Sequence, residues 1–224
     1  FSKLYNMTTR NLGEFGKYFV SNDEDKREQA FVNAVDHMRM ATLEQKDLDK
    51  LWRGFFYYLW MADKPRYQAE VNQRVAELIH LDTKDKNYVM KWISSSYTIL
   101  RMDWHLIDYL RMDKYLQLVR FHLRETFKYF NLTGWKKKTV EFWLKKLLEV
   151  ALNPAESENG SEFGMQILDI FVETLSEMSG KILPSTKFEK IISKFIAFYA
   201  TKGDQYFSPR IGEKIIERLI TNYL

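Results

Sequence analysis

Four histidines, His37, His80, His105 and His122, are the side chains whose ordinary pKa suits acid–base or metal chemistry near neutral pH, and they lie far apart in the chain. A helical zinc site needs two of them one turn apart, and no such pair occurs. Glu77 and His80 have the Glu-x-x-His spacing of di-iron bundles, but that centre takes the motif twice, with two further glutamates, and there is one copy. His105, beside Trp104, reads as a packed or partly buried histidine rather than a base. Cysteine is absent, which excludes disulfides, thiolate metal ligands and a cysteine nucleophile. Ser94-Ser95-Ser96 has no Gly-x-Ser-x-Gly elbow around it and suits close helix packing instead. Gly13 and Gly16 follow no strand and make no phosphate loop. Glu173 and Glu177, one turn apart, read as solvated carboxylates. The expectation is a protein with no catalytic residues, metal, cofactor or small-molecule substrate.

Charge is the stronger signal. The chain is +4 overall, but residues 111–150 carry a net +6, residues 151–180 a net −6 and residues 181–224 a net +4. In the basic block Arg120, Arg124 and Lys128 recur every fourth residue and line one side of a helix. Lys136, Lys137 and Lys138, with Lys145 and Lys146, extend the pattern, and Arg111 and Lys114 precede it. These are candidates for contact with phosphate or an acidic partner; the alternative is that they merely solvate amphipathic helices. The acidic block offers Glu156, Glu158, Glu162, Asp169, Glu173 and Glu177 as a candidate face for a basic partner.

The elements that must position these groups are helical. Of the 224 residues only 9 are Gly and 4 Pro, too few for the turns of a many-stranded sandwich or barrel. Hydrophobic content of 46% and aromatic content of 16% imply a packed core. The longest apolar stretch, Phe55 to Ala62, is far short of the roughly 20 residues that cross a bilayer, so no membrane partner is expected. Apolar periodicity predicts nine or ten helices. Starts are expected at Ser21, with Glu24 as a capping box, at Thr42, with Gln45, at Pro65 and at Ser208-Pro209. One helix should cover about Met90 to Tyr109 and the next Asp113 to Phe130, closed by Thr133-Gly134. Asn153 to Gly164 reads as a loop or insertion, centred on 153–162. Helix pairs recurring roughly every 40 residues suit an all-α solenoid of HEAT-like helical hairpin repeats, a single domain over 1–224; an irregular helical bundle is the alternative.

Two segments carry a resemblance. The first runs from Lys50-Leu51-Trp52-Arg53-Gly54 through Trp60, Asp63, Lys64 and Pro65 to Gln68. The second runs from Trp104 through Asp108, Arg111 and Asp113 to Lys114-Tyr115, with Leu118, Arg120 and Arg124 beyond. Together with Phe15-Gly16-Lys17-Tyr18-Phe19, they resemble the eukaryotic nucleolar family called ribosomal RNA processing protein one, over roughly residues 15–150. The resemblance implies a nuclear, chiefly nucleolar, helical-repeat scaffold, non-catalytic, acting on large-ribosomal-subunit precursors. Its implied partners are other large-subunit assembly factors and pre-ribosomal RNA within the preribosome. A protein–protein interaction solenoid outside ribosome assembly is the alternative. The signature residues themselves read as mainly architectural: tryptophan wedges, helix caps and ion pairs.

Overall fold

The computed structural model describes residues 12–153, 157–202 and 207–219. Ten α-helices and no strand occur among them, so the fold is all-α. They are α1 (Leu12–Phe19), α2 (Glu24–Met40), α3 (Gln45–Trp60), α4 (Pro65–Glu77), α5 (Tyr88–Asp103), α6 (Tyr109–Thr133), α7 (Lys137–Lys146), α8 (Ser157–Ser179), α9 (Ser185–Lys202) and α10 (Phe207–Ile211). Tight 3₁₀ turns follow α4 and α5, at Leu78–His80 and Trp104–Leu106, and wide π turns follow α7 and α10, at Leu147–Ala151 and Gly212–Glu217. The chain divides into two compact units, residues 1–99 and 100–224.

Several boundaries differ from the sequence expectation, each because a better local partner wins. Helix α2 is capped by Asp23, whose carboxylate accepts from the N–H groups of Asp25 (3.1 Å) and Lys26 (3.4 Å); Ser21 instead accepts from the Asp23 N–H. A carboxylate there also complements the positive end of the helix. Helix α3 begins at Gln45 rather than near Thr42, because the Gln45 amide donates to the Ser95 hydroxyl (2.7 Å) and the Lys91 carbonyl (3.1 Å) instead of reaching back to cap. Pro65 opens α4 as expected. The helix expected over 90–109 is broken: α5 stops at Asp103, and Asp108 caps α6 by accepting from the Arg111 N–H (3.1 Å). The stretch expected as a loop at 153–162 is already helical from Ser157, so Ser157, Asn159 and Gly160 start a helix; Pro154 to Glu156 lie outside the described residues. Likewise α10 starts at Phe207, one residue before Ser208.

In the first unit α1 packs on α2 and α3. Phe19, Phe31, Phe55 and Tyr58 meet ring to ring at 5.4–5.7 Å, and Trp52 meets Trp92 of α5 at 4.6 Å. Gly54 makes the approach of α1 possible: a Cβ on it would lie 2.7 Å from the Phe19 ring. Gly54→Ala is therefore expected to lower stability by about 1 kcal/mol net, overpacking outweighing the gain in helix propensity, and to loosen α1 first. Hydrogen exchange along α1 checks this; unchanged protection there would refute it.

Beside this core Glu28 gathers a polar network. It accepts from the hydroxyls of Tyr58 and Tyr67 (2.7 Å) and from the Arg74 guanidinium (2.8 Å), which also lies over the Phe31 ring at 4.3 Å. Burial pushes the Glu28 carboxyl up, but these donors outweigh it and hold it below its ordinary value. The three serines are buried as helix-packing residues, with the Ser95 hydroxyl donating to Asp49 (2.6 Å).

In the second unit α6 lies along α8. Phe127, Phe130, Trp135, Trp143, Phe171 and Phe195 form its aromatic core, and Trp104 sits against Phe163 at 5.3 Å. Helix α6 ends as expected at Gly134, which takes a left-handed φ of 68°. Trp135 follows at φ 52°, and its N–H bonds the Phe130 carbonyl (2.8 Å). Such a backbone costs a non-glycine residue on the order of 1 kcal/mol, offset here by complete burial of the indole and its bond to Asn131 (2.9 Å). Buried Arg101 caps the π turn that follows α7 by donating to the carbonyls of Ala151 (3.0 Å) and Asn153 (2.6 Å).

Candidate functional site

The basic block and the acidic block meet each other. Asp169, Glu173 and Glu177 recur every fourth residue along α8, and each faces an arginine. Arg124 of α6 holds Glu177 through two bonds of 2.8 and 3.0 Å, Arg120 approaches Glu173 at 4.0 Å, and Arg210 of α10 forks onto Asp169 at 2.6 Å. The stripe read as a docking face for phosphate and the stripe read as a docking face for a basic partner thus compensate one another inside the chain. Lys128 pairs with Glu125 at 3.3 Å on its own helix. Exchanging the partners, Arg124→Glu with Glu177→Arg, is expected to recover most of the stability that either single reversal loses. The pair's coupling should stay below about 1 kcal/mol, since both ends are partly exposed. A double-mutant cycle by denaturant unfolding reads it, and zero coupling would mean that the Arg124–Glu177 pair adds nothing to stability.

The remaining candidates divide by burial. Lys114 is a correction: it is 5% exposed, buried on α6, so it is not a surface contact. Arg111 ion-pairs with Asp108 and helps hold the first turn of α6. Glu162 is exposed; of Glu158 only the helical backbone is described, and Glu156 lies outside the described residues. Lys136, Lys137 and Lys138 are exposed around the first turn of α7, whose N-terminus carries neither a side-chain cap nor an acidic residue. Three cations at the positive end of a helix are locally unfavourable, which a structural role does not explain. Lys145 has only Glu149 at 3.9 Å, both about two-thirds exposed, and Lys146 lies 5.7 Å from the Phe142 ring.

Residues that sequence reasoning passed over complete this surface. Lys187, Lys190 and Lys194 of α9 share one helical face, and Lys190 ion-pairs with Glu141 of α7, which joins the two helices. The hydrogen bond from Lys190 holds the Glu141 carboxyl below its ordinary value, with Lys137 and Lys187 adding to the pull. The i, i+3, i+7 spacing on α9 was visible; its juxtaposition with α7, some 50 residues earlier, was not.

The signature residues also take their places. Leu51, Trp52 and Gly54 are buried on α3, Lys50 reaches the buried Asp47 at 3.5 Å, and Trp60 is half-buried beside Phe56 and Tyr57. Asp63 and Lys64 are exposed ahead of Pro65, and the Gln68 amide donates back to the Ala62 carbonyl at 2.9 Å. Trp104 is buried, Asp108 caps α6, and Asp113 is exposed. Between them Tyr109 and Leu110 stand 85% and 75% exposed. No group of three or more His, Cys, Asp or Glu placed to hold a metal ion occurs among the described residues, nor does a helix long and apolar enough to cross a membrane.

The family model described as nucleolar protein, Nop52, matches residues 11–223, nearly the whole chain. The chain belongs to this family. Nuclear and nucleolar residence follows from that membership. Among curated proteins it is similar to human ribosomal RNA processing protein 1 homolog B, 27% identical over 214 residues, covering 92% of this chain and 28% of that protein. Human homolog A is 28% identical over 176 residues, covering 78% and 37%, and the Caenorhabditis elegans homolog is 31% identical over 186 residues, covering 83% and 46%. The chain therefore spans less than half the length of these relatives. Its match runs through both signature segments and on through α8, α9 and α10, well beyond the stretch over which the resemblance was legible.

Proposed function

We propose that this chain is the helical scaffold region of a large-ribosomal-subunit assembly factor. It supports processing of precursor ribosomal RNA by holding assembly factors and that RNA in place, without catalysing a reaction. Membership of a nucleolar family whose relatives are named for ribosomal RNA processing carries the reading. The described surface agrees with a binding role: its histidines are scattered, and three consecutive lysines, Lys136 to Lys138, stand exposed at the start of α7. Of the sequence candidates, Lys136, Lys137 and Lys138 are proposed as the contact with pre-ribosomal RNA or an acidic partner, because Arg120 and Arg124 already face carboxylates. That pairing also argues against the acidic stripe of α8 as a free face for a basic partner, and so against an adaptor working through it.

Fractionation tests this. The tagged chain in nuclear extract is run on a density gradient and the fractions are probed for precursor RNA. Migration with large-subunit precursors, lost after nuclease treatment, is the expected result. Migration as a free protein or a small complex would overturn the assignment.

A further inference from the structure

The net +6 of residues 111–150 does not remain where the sequence places it. Arg120 and Arg124 on α6 face the carboxylates of α8. What is left lies on α7, and α9 adds lysines of its own. Through the Lys190–Glu141 ion pair the two helices bring Lys137, Lys187 and Lys190 together, with Lys194 one turn further along the same face of α9 and Lys136 and Lys138 flanking Lys137 in the chain. Glu141 is the carboxylate among them, and it is held by Lys190. Glu189 is exposed on a neighbouring side of α9, and Glu149 pairs weakly with Lys145. Lys137, Lys187 and Lys194 have no carboxylate within 4 Å among the described residues. The fold thus keeps several like charges close to one another, against their mutual repulsion.

We infer that this α7–α9 lysine face is a docking surface for the phosphodiester backbone of RNA. The inference rests on the assembly-factor reading and names the place and chemistry of its RNA contact. Lysine chemistry selects the occupant. An ammonium is a mobile point charge that meets a phosphate oxygen from many directions, whereas lysine is depleted from the cores of protein–protein interfaces, which favour aromatic residues and arginine. The cations that make up the face are all lysines, without the fork that an arginine brings to a base edge, so it reads charge and spacing rather than sequence. The elements that hold it are tied through the core. Trp143 of α7 stacks on Phe171, which meets Phe195 of α9 at 5.0 Å.

The test uses the purified full chain and fluorescein-labelled single-stranded RNA 20-mers, one mixed in sequence and one oligouridylate, with polyglutamate of matched length as the acidic-protein probe. The variant Lys137→Gln/Lys187→Gln/Lys194→Gln leaves the Lys190–Glu141 pair intact. It is expected to bind both RNAs at least tenfold more weakly, with an unchanged melting temperature. The variant Arg120→Gln/Arg124→Gln on α6 should keep RNA affinity within twofold and melt earlier. RNA affinity unchanged in the triple variant, loss confined to the α6 variant, or tighter binding to polyglutamate than to RNA would each overturn the inference. The gradient keeps the two claims apart. If the triple variant migrates with precursors as the parent chain does, this surface is wrong and the assembly-factor reading stands. If the parent chain fails to migrate with them, that reading falls whatever the affinities in the tube.

Discussion

Gly164→Ala is expected to destabilise the second unit by roughly 2–3 kcal/mol, the upper part of the range for an overpacked core. A Cβ on Gly164 would stand 2.5 Å from the Ala151 carbonyl oxygen, 2.7 Å from the Phe207 ring and 3.0 Å from a Leu152 methyl. The first of these is backbone, and it belongs to the π turn whose end is pinned by Arg101. A backbone oxygen held by a buried guanidinium cannot swing aside as a ring can, so α8 itself must move. This separates Gly164 from Gly54, where the obstruction is the Phe19 side chain, and from Gly16, which has open space around it and should tolerate alanine without loss. Denaturant unfolding of the three alanine variants should rank them in that order. Equal midpoints for Gly164→Ala and Gly16→Ala would show that α8 does not approach the π turn as described.

The second large effect is acid sensitivity through His122. Complete burial on α6 pushes its imidazole down from the usual 6.5 to about 4. A histidine lowered on folding is neutral in the native state while the unfolded chain takes up a proton below 6.5. Stability is therefore lost as pH falls from 6.5 towards 4, by roughly 3 kcal/mol at 1.36 kcal/mol per pH unit. His122→Leu should remove that slope while leaving stability near pH 7 less affected. His37 is also lowered by burial, against the pull of Asp47, so the parent chain's slope contains both and the difference between the two proteins isolates His122. Glu28, whose carboxyl is lowered, loses its contribution only below the ordinary carboxylate range, at more acid pH. Urea midpoints at intervals from pH 7.5 to 4 measure it, and parallel curves for the two proteins would refute it.

How far the sequence carried the reading can be judged at particular residues. Helices were legible because their apolar stripes repeat over many turns, and so were Pro65 and Gly134, whose backbone preferences are intrinsic. Caps decided by competition were not. Ser21 and Asp23 both suit an N-cap, and only the folded chain, in which Arg27 reaches the Ser21 carbonyl at 2.7 Å, settles which is used. The break after Asp103 was hidden because residues 104–106 stay apolar enough to continue a helix. The charge blocks were correctly located along the chain, yet their meaning depended on which helices lie side by side. Neighbours four residues apart can be read from sequence, but the 53-residue gap between Arg124 and Glu177 cannot. Lys114 was misjudged for a related reason: a lysine on the edge of an apolar stripe looks exposed until the neighbouring helix covers it.

The burial of the tryptophans also has an optical consequence. Trp52, Trp92, Trp104, Trp135 and Trp143 are all less than 2% exposed, while Trp60 is half-buried. Native fluorescence should then come mostly from indoles shielded from water, with a dissolved quencher such as iodide meeting Trp60 first. Trp52, Trp60 and Trp92 lie in the first unit and Trp104, Trp135 and Trp143 in the second, so phenylalanine replacement of one set of three leaves emission that follows the other unit alone. The order in which the two units lose structure can thus be read from the wavelength of emission without attaching any label.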